Sequence, residues 1–195
     1  MTANLQHRAT YADLEAVPPN MVAEILGGEL VVHRLLRPRH AIAKTALGTT
    51  LGSEFGYRFD RPNGWMFLFG PELHLGADVI VPDIAAWRRE RIPTQLDVVG
   101  ITTPPDWACE VLSRDTAAVD RITKRSIYLR EGVRHLWFLD PGYRTLETLK
   151  HNGGNWQVVR NFGGHDDVRA APFDAISFSL GALWPYDPPP AAEGA

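Results

Sequence analysis

The sequence predicts an α/β domain in which a mixed β-sheet is flanked by helices. From residue 38 onward, apolar patterns predict a helix, a series of strands, a second helix and a further strand, the order of a sheet covered by helices. The chain of 195 residues suits one domain, and its 45% hydrophobic and 22% charged residues are ordinary for a globular protein. We therefore expect a single domain over residues 1–186 and a flexible Pro- and Ala-rich tail over residues 187–195.

The N-terminal part is predicted to hold a short helix and a β-hairpin. Thr10 can cap a helix in TYADLEAV, which two prolines then end. The apolar runs VAEIL and ELVVHRL flank Gly27-Gly28, and glycines tolerate the positive φ of a two-residue turn. An N-terminal β-hairpin is therefore expected here.

The central part is predicted to contain a helix and then a series of strands. Between residues 38 and 55, Ala43, Leu47 and Leu51 recur at four-residue intervals, which indicates an amphipathic helix. The strands that follow are expected in WMFLFG, ELHLG, VIVPDIAAW and WACEVL.

A second helix, a strand and a hairpin complete the predicted domain. Ser113, Asp115 or Thr116 can cap the helix after WACEVL, and Gly132 is placed to end it. HLWFLDP is another apolar strand, and TLETLKHNGGNWQVVRNF is expected to form a C-terminal β-hairpin around residues 152–155.

Composition excludes several classes of protein. The formal net charge of −3 argues against a uniformly basic nucleic-acid binder, although three groups of basic residues leave room for a local basic face. The single cysteine, Cys109, rules out an internal disulfide and a cysteine zinc cluster, and its apolar strand suits a buried side chain. The basic groups are Arg34, Arg37, Arg39 and Lys44; Arg88, Arg89 and Arg91; and Arg121, Lys124, Arg125, Arg130 and Arg134.

The cellular location is expected to be cytoplasmic. No apolar run reaches the roughly 18 to 20 residues that a membrane span requires. The N-terminal residues MTANLQHRATYADLE contain no apolar h-region of the kind that a secretory signal carries.

Two carboxylates stand in apolar strands, where a charge needs a partner. Glu110 lies within WACEVL and Asp83 within VIVPDIAAW, and a Glu is almost never fully buried unless it is paired, protonated or bound to a metal. Pro82 cannot donate to a strand ladder, so it marks an edge or a bulge where side chains are re-aimed. Two such acids repel unless a cation lies between them, and Mg²⁺ commonly takes one or two carboxylates. The structural alternative is that Asp83 caps a turn and Glu110 pairs with an arginine.

Lys124, in the helix that follows, is a candidate catalytic cation. A lysine beside two metal-binding carboxylates can orient an attacking water or stabilise the charge that develops on phosphorus. A solvent-exposed lysine is the alternative, because the helix carries two stripes on nearly opposite sides and periodicity leaves open which one is buried. One stripe is Ile122, Ser126, Leu129 and Val133, and the other is Asp120, Lys124, Ile127 and Tyr128.

The motifs VPDIAAW, WACEVLS and DRITKRSIYLREGVRHLWFLDP resemble, in this order, the signature of the Uma-two family of endonuclease-like proteins. That family belongs to the PD-(D/E)XK restriction-endonuclease-like superfamily. VAEILGGELV and RHAIAKTALGTTL also match its pattern, so the resemblance covers residues 10–150 or so. It implies a restriction-endonuclease-like core, a mixed sheet flanked by helices in the order αβββαβ.

The resemblance implies a metal-dependent endonuclease that hydrolyses phosphodiester bonds in DNA. Asp83 and Glu110 match the metal-binding acids and are expected to hold Mg²⁺, with Mn²⁺ as an alternative ion. The superfamily motif places its lysine two residues after the Glu, where this chain has Leu112, so Lys124 in the next helix is expected to take that role.

Two further polar positions correspond to recurrent polar residues of the family. Glu24 and His40 are expected to support the metal-binding acids or to position water. For His40, a surface histidine at the start of a helix is the alternative.

DNA is the expected partner, a homodimer stays open, and no membrane association is expected. The main rival is a catalytically inactive module of the same fold that binds nucleic acid or protein. A metal-dependent hydrolase of a small substrate is a third reading, because a fold does not fix a function.

Overall fold

Two β-sheets, a short two-stranded ribbon and three α-helices form the part of the chain that this computed structural model describes, which is residues 8–34, 37–56, 64–91 and 97–186. The fold is therefore α/β with a mixed sheet flanked by helices, as the sequence predicts. The expected flexible tail, residues 187–195, lies outside the described residues.

The helices and strands follow one another along the chain in this order. They are α1 (Tyr11–Glu15), β1 (Met21–Leu26), β2 (Glu29–Arg34), α2 (Pro38–Leu51), β3 (Trp65–Phe69), β4 (Leu73–Leu75), β5 (Asp78–Ile80), β6 (Ile84–Arg88), β7 (Trp107–Val111), α3 (Arg125–Arg130), β8 (His135–Asp140), β9 (Thr145–Asn152), β10 (Asn155–Gly163), β11 (Asp167–Val168) and β12 (Phe178–Ser179). Helical turns of π type, Gly52–Gly56 and Val119–Lys124, extend α2 and precede α3, and 3₁₀ turns form at Arg89–Arg91 and Leu180–Leu183.

The central sheet has six strands in the order β10-β9-β8-β7-β6-β3. Its neighbours run antiparallel except β7 and β8, which are parallel and joined through α3. Along the chain, α2, β3, β6, β7, α3 and β8 follow the expected αβββαβ order. The β4–β5 hairpin lies between β3 and β6 in sequence and joins the N-terminal hairpin in a second sheet, ordered β2-β1-β5-β4.

The stretch VIVPDIAAW is two strands rather than the single strand expected from its apolar pattern. β5 belongs to the second sheet and β6 to the central sheet, and the chain passes between them at residues 81–83. Pro82 has no N–H for a ladder, and side chains bond the neighbouring backbone: Val81 N donates to Glu24 Oε1 at 2.7 Å, and Val81 O accepts from Lys124 Nζ at 3.1 Å. The break therefore leaves Asp83 just before β6, outside the ladder.

Both predicted hairpins are confirmed by their register and turn geometry. Gly27 and Gly28 have φ of 64° and 90° between β1 and β2, and Gly153 and Gly154 have φ of 56° and 86° between β9 and β10. Thr10 caps α1 as predicted, in a reciprocal capping box with its N3 residue.

The helix predicted after β7 is present but not uniform. Ser113 Oγ accepts from Thr116 N at 3.3 Å where the helix begins, and Gly132, with φ of 74°, follows its end as predicted. The segment Val119–Lys124 has the wider π-helical geometry and passes into α3. This wider turn carries Lys124.

Alternate residues of β7 point into two cores on the two faces of the central sheet. Trp107 and Cys109 pack on the face covered by α2, in a cluster centred on aromatic rings. Ala108 packs on the face covered by α3 and the second sheet, so Glu110, two residues on, faces α3. Cys109 is fully buried, as predicted, and burial raises the pKa of its thiol well above the ordinary value.

No helix among the described residues is long and apolar enough to cross a membrane.

Candidate active site

The two predicted acids lie opposite each other, Asp83 just before β6 and Glu110 near the end of β7. Ile84 pairs with Cys109, so the antiparallel register brings Asp83 opposite Glu110. Val111 N donates to Asp83 Oδ2 at 2.9 Å, and Asp83 N lies 3.4 Å from Glu110 Oε2. The expected proximity of Asp83 and Glu110 is confirmed.

Glu110 is a fully buried carboxylate with two kinds of partner. Its Oε1 accepts a hydrogen bond from the Tyr128 hydroxyl at 2.5 Å, and its Oε2 lies 3.5 Å from Lys124 Nζ. Burial raises the pKa of Glu110 well above its ordinary value; Lys124 opposes the rise, and three neighbouring carboxylates reinforce it. Glu110 therefore holds a proton more tightly than a solvated glutamate does.

Lys124 is the cation that three carboxylates share. Its Nζ lies 2.9 Å from Glu24 Oε1 and 3.5 Å from both Glu110 Oε2 and Asp120 Oδ1, and only 3% of the residue is exposed. Burial by itself lowers the pKa of Lys124, but the carboxylates outweigh it and raise the pKa above the ordinary value. Lys124 is therefore a permanently charged, buried group.

The burial of Lys124 and its neighbours shows which of the two helical stripes faces the core. Asp120, Ile127 and Tyr128 are buried with it, while Ile122 on the other stripe is 71% exposed. The alternative of a solvent-exposed Lys124 is wrong.

Asp83 is bonded from the other side by α2. His40 Nε2 lies 3.1 Å from Asp83 Oδ2, and Lys44 Nζ lies 3.4 Å from Asp83 Oδ1. Burial acts to raise the pKa of Asp83, but the hydrogen bond and charge of His40 and the charge of Lys44 lower it below the ordinary value. His40 is buried, so the alternative of a surface histidine is wrong.

Glu24, the other predicted supporting residue, links Lys124 to the surface. Its Oε2 lies 3.7 Å from His33 Nε2 and, within the described ranges, has no hydrogen-bond partner. Burial acts to raise the pKa of Glu24, but Lys124, His33 and the Val81 amide lower it, and the nearby Glu24 carboxylate raises the pKa of His33. Glu24 therefore stays ionised against Lys124.

Four residues of the site have no role in the sequence-based prediction. Helical spacing was a usable signal for Lys44, Asp120 and Tyr128. Lys44 stands four residues after His40, and Asp120 and Tyr128 stand four residues before and after Lys124. His33 lies on β2, where strand alternation alone did not distinguish it from a surface residue. These residues are His33, Lys44, Asp120 and Tyr128.

The donors at this edge fit a divalent cation of the Mg²⁺ type. Four carboxylates converge on two lysines. In the part of the chain that the structure describes, no three His, Cys, Asp or Glu side chains are arranged as a metal cluster. Asp83 and Glu110 supply two carboxylates, the number with which Mg²⁺ is commonly bound while water and phosphate complete its shell. The four carboxylates are Glu24, Asp83, Glu110 and Asp120.

A cavity of about 890 Å³ adjoins the site. His40, bonded to Asp83, and His33, beside Glu24, both line it. The remainder of its wall includes Arg34, Arg37, Arg39 and Arg114. The carboxylates therefore lie next to a basic opening on the surface.

Comparison with known proteins identifies a family and solved structures of similar fold. A family described as "Uma2: Putative restriction endonuclease" matches residues 8–181. A crystal structure described as "a putative nuclease belonging to DUF820" from Anabaena variabilis ATCC 29413 superposes with a TM-score of 0.73 at 18% identity, covering 91% of this chain and 98% of the other. That likeness concerns the fold. No protein in a curated set matches the sequence.

Proposed function

Because this chain belongs to the Uma2 family, whose description is that of a restriction endonuclease, we propose that it is a Mg²⁺-dependent endonuclease that hydrolyses phosphodiester bonds in DNA. The observation that carries the proposal is the position of the partly buried Asp83 beside the fully buried Glu110, with Lys124 against Glu110. A structural core gains nothing from two such acids unless a cation compensates them.

Asp83 and Glu110 are the residues that would hold the ion. Bound Mg²⁺ supplies charge neutralisation at the scissile phosphate and lowers the pKa of a coordinated water. Asp83 is kept ionised by His40 and Lys44, so it presents a ready carboxylate. Burial raises the pKa of Glu110, so a cation bound there competes with a proton.

Lys124 contributes positive charge rather than a base. Its raised pKa keeps Nζ protonated, so it does not accept a proton from water. Its three carboxylate partners fix Nζ beside Glu110, where it orients that carboxylate and adds a fixed positive charge close to the reacting phosphate.

One observation favours the rival reading of an inactive module. The bonds of Lys124 to Glu24, Asp120 and the Val81 carbonyl amount to a complete structural ion cluster without a metal. In that reading the buried acids serve only to fasten the two sheets to α3, and neither Mg²⁺ nor DNA cleavage is involved.

The open basic cavity disfavours the third reading. A small-substrate hydrolase needs a closed pocket that surrounds its ligand, whereas exposed arginines line this opening. A polyanion suits it better.

Plasmid nicking tests the proposal directly. Supercoiled DNA with Mg²⁺ should be converted to open circles by the wild type, and a chelator should stop the reaction. Glu110→Gln keeps the shape of the side chain and its bond from Tyr128, yet should lower the rate by about a hundredfold or more, because a metal-binding charge is lost.

Glu147→Gln is the matched control. Glu147 lies on β9, which pairs with β8, and its partner is Arg121 outside the site, so its loss should leave the nicking rate unchanged. If Glu110→Gln nicks DNA as fast as Glu147→Gln, the endonuclease proposal is wrong.

A further inference from the structure

The cavity beside the acids brings basic residues from separate elements to one wall. Arg34 ends β2, Arg37 precedes α2 and Arg39 lies in its first turn, while Arg114 stands between β7 and α3. Among the described residues of the wall, four arginines face two aspartates, the reverse of the chain's overall acidic balance. Such a local reversal is the electrostatic footprint of a polyanion site.

Three arginines of the other two basic groups pair with acids away from this cavity. Arg91 and Arg134 lie against Asp106 at the opposite end of β7, and Arg130 pairs with Asp78 on β5. Among the described residues, the arginines that lie beside the acids include Arg34, Arg37 and Arg39 of the first basic group.

An exposed aromatic ring stands on the same wall. Tyr143 lines the cavity and is 85% exposed. Tyr143 stands next to the arginines on the cavity wall, so a planar group of a bound ligand fits over its ring.

The turn that carries Tyr143 is held in one conformation. Asp140 Oδ1 accepts from Gly142 N at 2.9 Å and from Tyr143 N at 3.0 Å, and Gly164 N donates to Arg144 O at 2.9 Å. A Cβ at residue 142 would lie 3.1 Å from the same Asp140 oxygen, so glycine suits this turn. Arg39 Nη1 also donates to Pro141 O at 3.3 Å, which joins the basic residues to the turn.

An exposed ring beside a basic track is an arrangement that binds single-stranded nucleic acid. The arginines follow the phosphates, and the ring stacks on a base that no partner strand covers.

We propose that this cavity is a binding site for an unpaired segment of DNA, with a base stacked on Tyr143 and the adjacent phosphates on Arg37 and Arg114. This inference rests on the proposed function, since it names the form of DNA that reaches the acid pair. It makes the protein selective for single strands, gaps or flaps over intact duplex.

Fluorescence anisotropy tests the proposal without catalysis. The full chain is titrated, with chelator present, into a labelled DNA oligonucleotide of about 16 nucleotides, either single-stranded or paired with its complement. The wild type should bind the single strand more tightly. Tyr143→Ala should weaken that binding by roughly tenfold and remove the preference, because stacking on one base is lost, while Tyr143→Phe should keep both.

Matched controls separate the cavity from the general surface. Tyr186 is 83% exposed and lies outside this cavity, so Tyr186→Ala should leave binding unchanged. Arg37→Ala or Arg114→Ala should each reduce the dependence of log affinity on log salt by about 0.7, the value for one phosphate of a single strand. Arg160→Ala, on β10 and over the Phe162 ring, should not.

The outcomes distinguish this inference from the proposed function. Equal single-strand binding by Tyr143→Ala and wild type overturns the stacking site even if nicking still depends on Glu110. Tighter binding of duplex than of single strand, or of an RNA of the same sequence than of DNA, also overturns it. Loss of the single-strand preference in Tyr143→Ala supports the site even if Glu110→Gln shows that nicking has another cause.

Discussion

At the scale of single residues, Lys124 is the buried cation that compensates several carboxylates at once. Three carboxylates lie within 3.5 Å of its Nζ, and the Val81 carbonyl accepts a fourth bond. A buried cluster of this kind depends on every member, because removing one partner leaves uncompensated charge in a medium of low dielectric constant.

Lys124→Ala should therefore destabilise the fold as well as reduce cleavage. We expect a loss of about 3–5 kcal/mol in the free energy of unfolding, measured by urea denaturation without Mg²⁺. Arg125→Ala, one position along the helix and less buried, should cost under about 0.5 kcal/mol. Equal losses for the two variants would contradict the assignment of Lys124 as the shared counter-ion.

At the scale of secondary-structure elements, β8 begins with a histidine in a basic setting. His135 pairs across the ladder with Lys150 on β9, and Arg88 and Arg134 are close enough to act on it. Burial, and then these three cations, lower the pKa of His135 to about 4, from an ordinary value of 6.5. The start of β8 therefore disfavours the protonated imidazole.

This lowered pKa predicts a loss of stability in mild acid. Between the unfolded and folded pKa values the unfolded chain binds more protons at His135, so the stability it contributes is complete above the ordinary value and is lost as the pH falls towards about 4. From about pH 7 to about pH 5, wild type should lose about 1 kcal/mol more than His135→Gln, after allowance for solvent screening of this partly exposed ring.

Urea denaturation at the two pH values makes the comparison. The difference between wild type and His135→Gln cancels the titration of the other groups. The same loss in both proteins would mean that His135 is not held neutral in the fold.

At the scale of the whole molecule, the acid pair joins the central sheet to the second sheet and to both long helical segments. Glu24 comes from β1, His40 from α2, Glu110 from β7 and Lys124 from the turn before α3. An ion bound at Asp83 and Glu110 would bind the folded chain and not the unfolded one, so it should stabilise the fold by mass action.

Thermal unfolding should accordingly respond to Mg²⁺. At a free concentration about a hundredfold above Kd the gain is about 2.7 kcal/mol, or roughly 5–10 °C in Tm for a chain of this size. The gain should grow as the pH rises, because Mg²⁺ competes with the proton that the raised pKa keeps on Glu110.

Variants at the acid pair provide the control. Glu110→Gln should lose most of the Mg²⁺ response, while Glu147→Gln should retain it. A wild-type Tm that is indifferent to millimolar Mg²⁺ around neutral pH would count against a metal site at these acids.

The sequence by itself determined the order of elements and the identity of the unusual acids. Local patterns were sufficient for the Gly-Gly turns and for the apolar strands around Asp83 and Glu110, because turn geometry and strand burial depend on near neighbours in the chain. The family resemblance supported Lys124 and added Glu24 and His40, which lie in the cluster around the acid pair.

Only the tertiary structure decided how these residues meet. VIVPDIAAW reads as one apolar strand, but Glu24 and Lys124 bond the backbone at Val81, and the chain passes there from one sheet to the other. Both stripes of the α3 segment looked able to face the core, and the second sheet buried the one that carries Lys124. Charges on separate elements interact through space, over distances that periodicity does not encode. The buried ion cluster and the convergence of arginines on the Tyr143 turn therefore followed from packing alone.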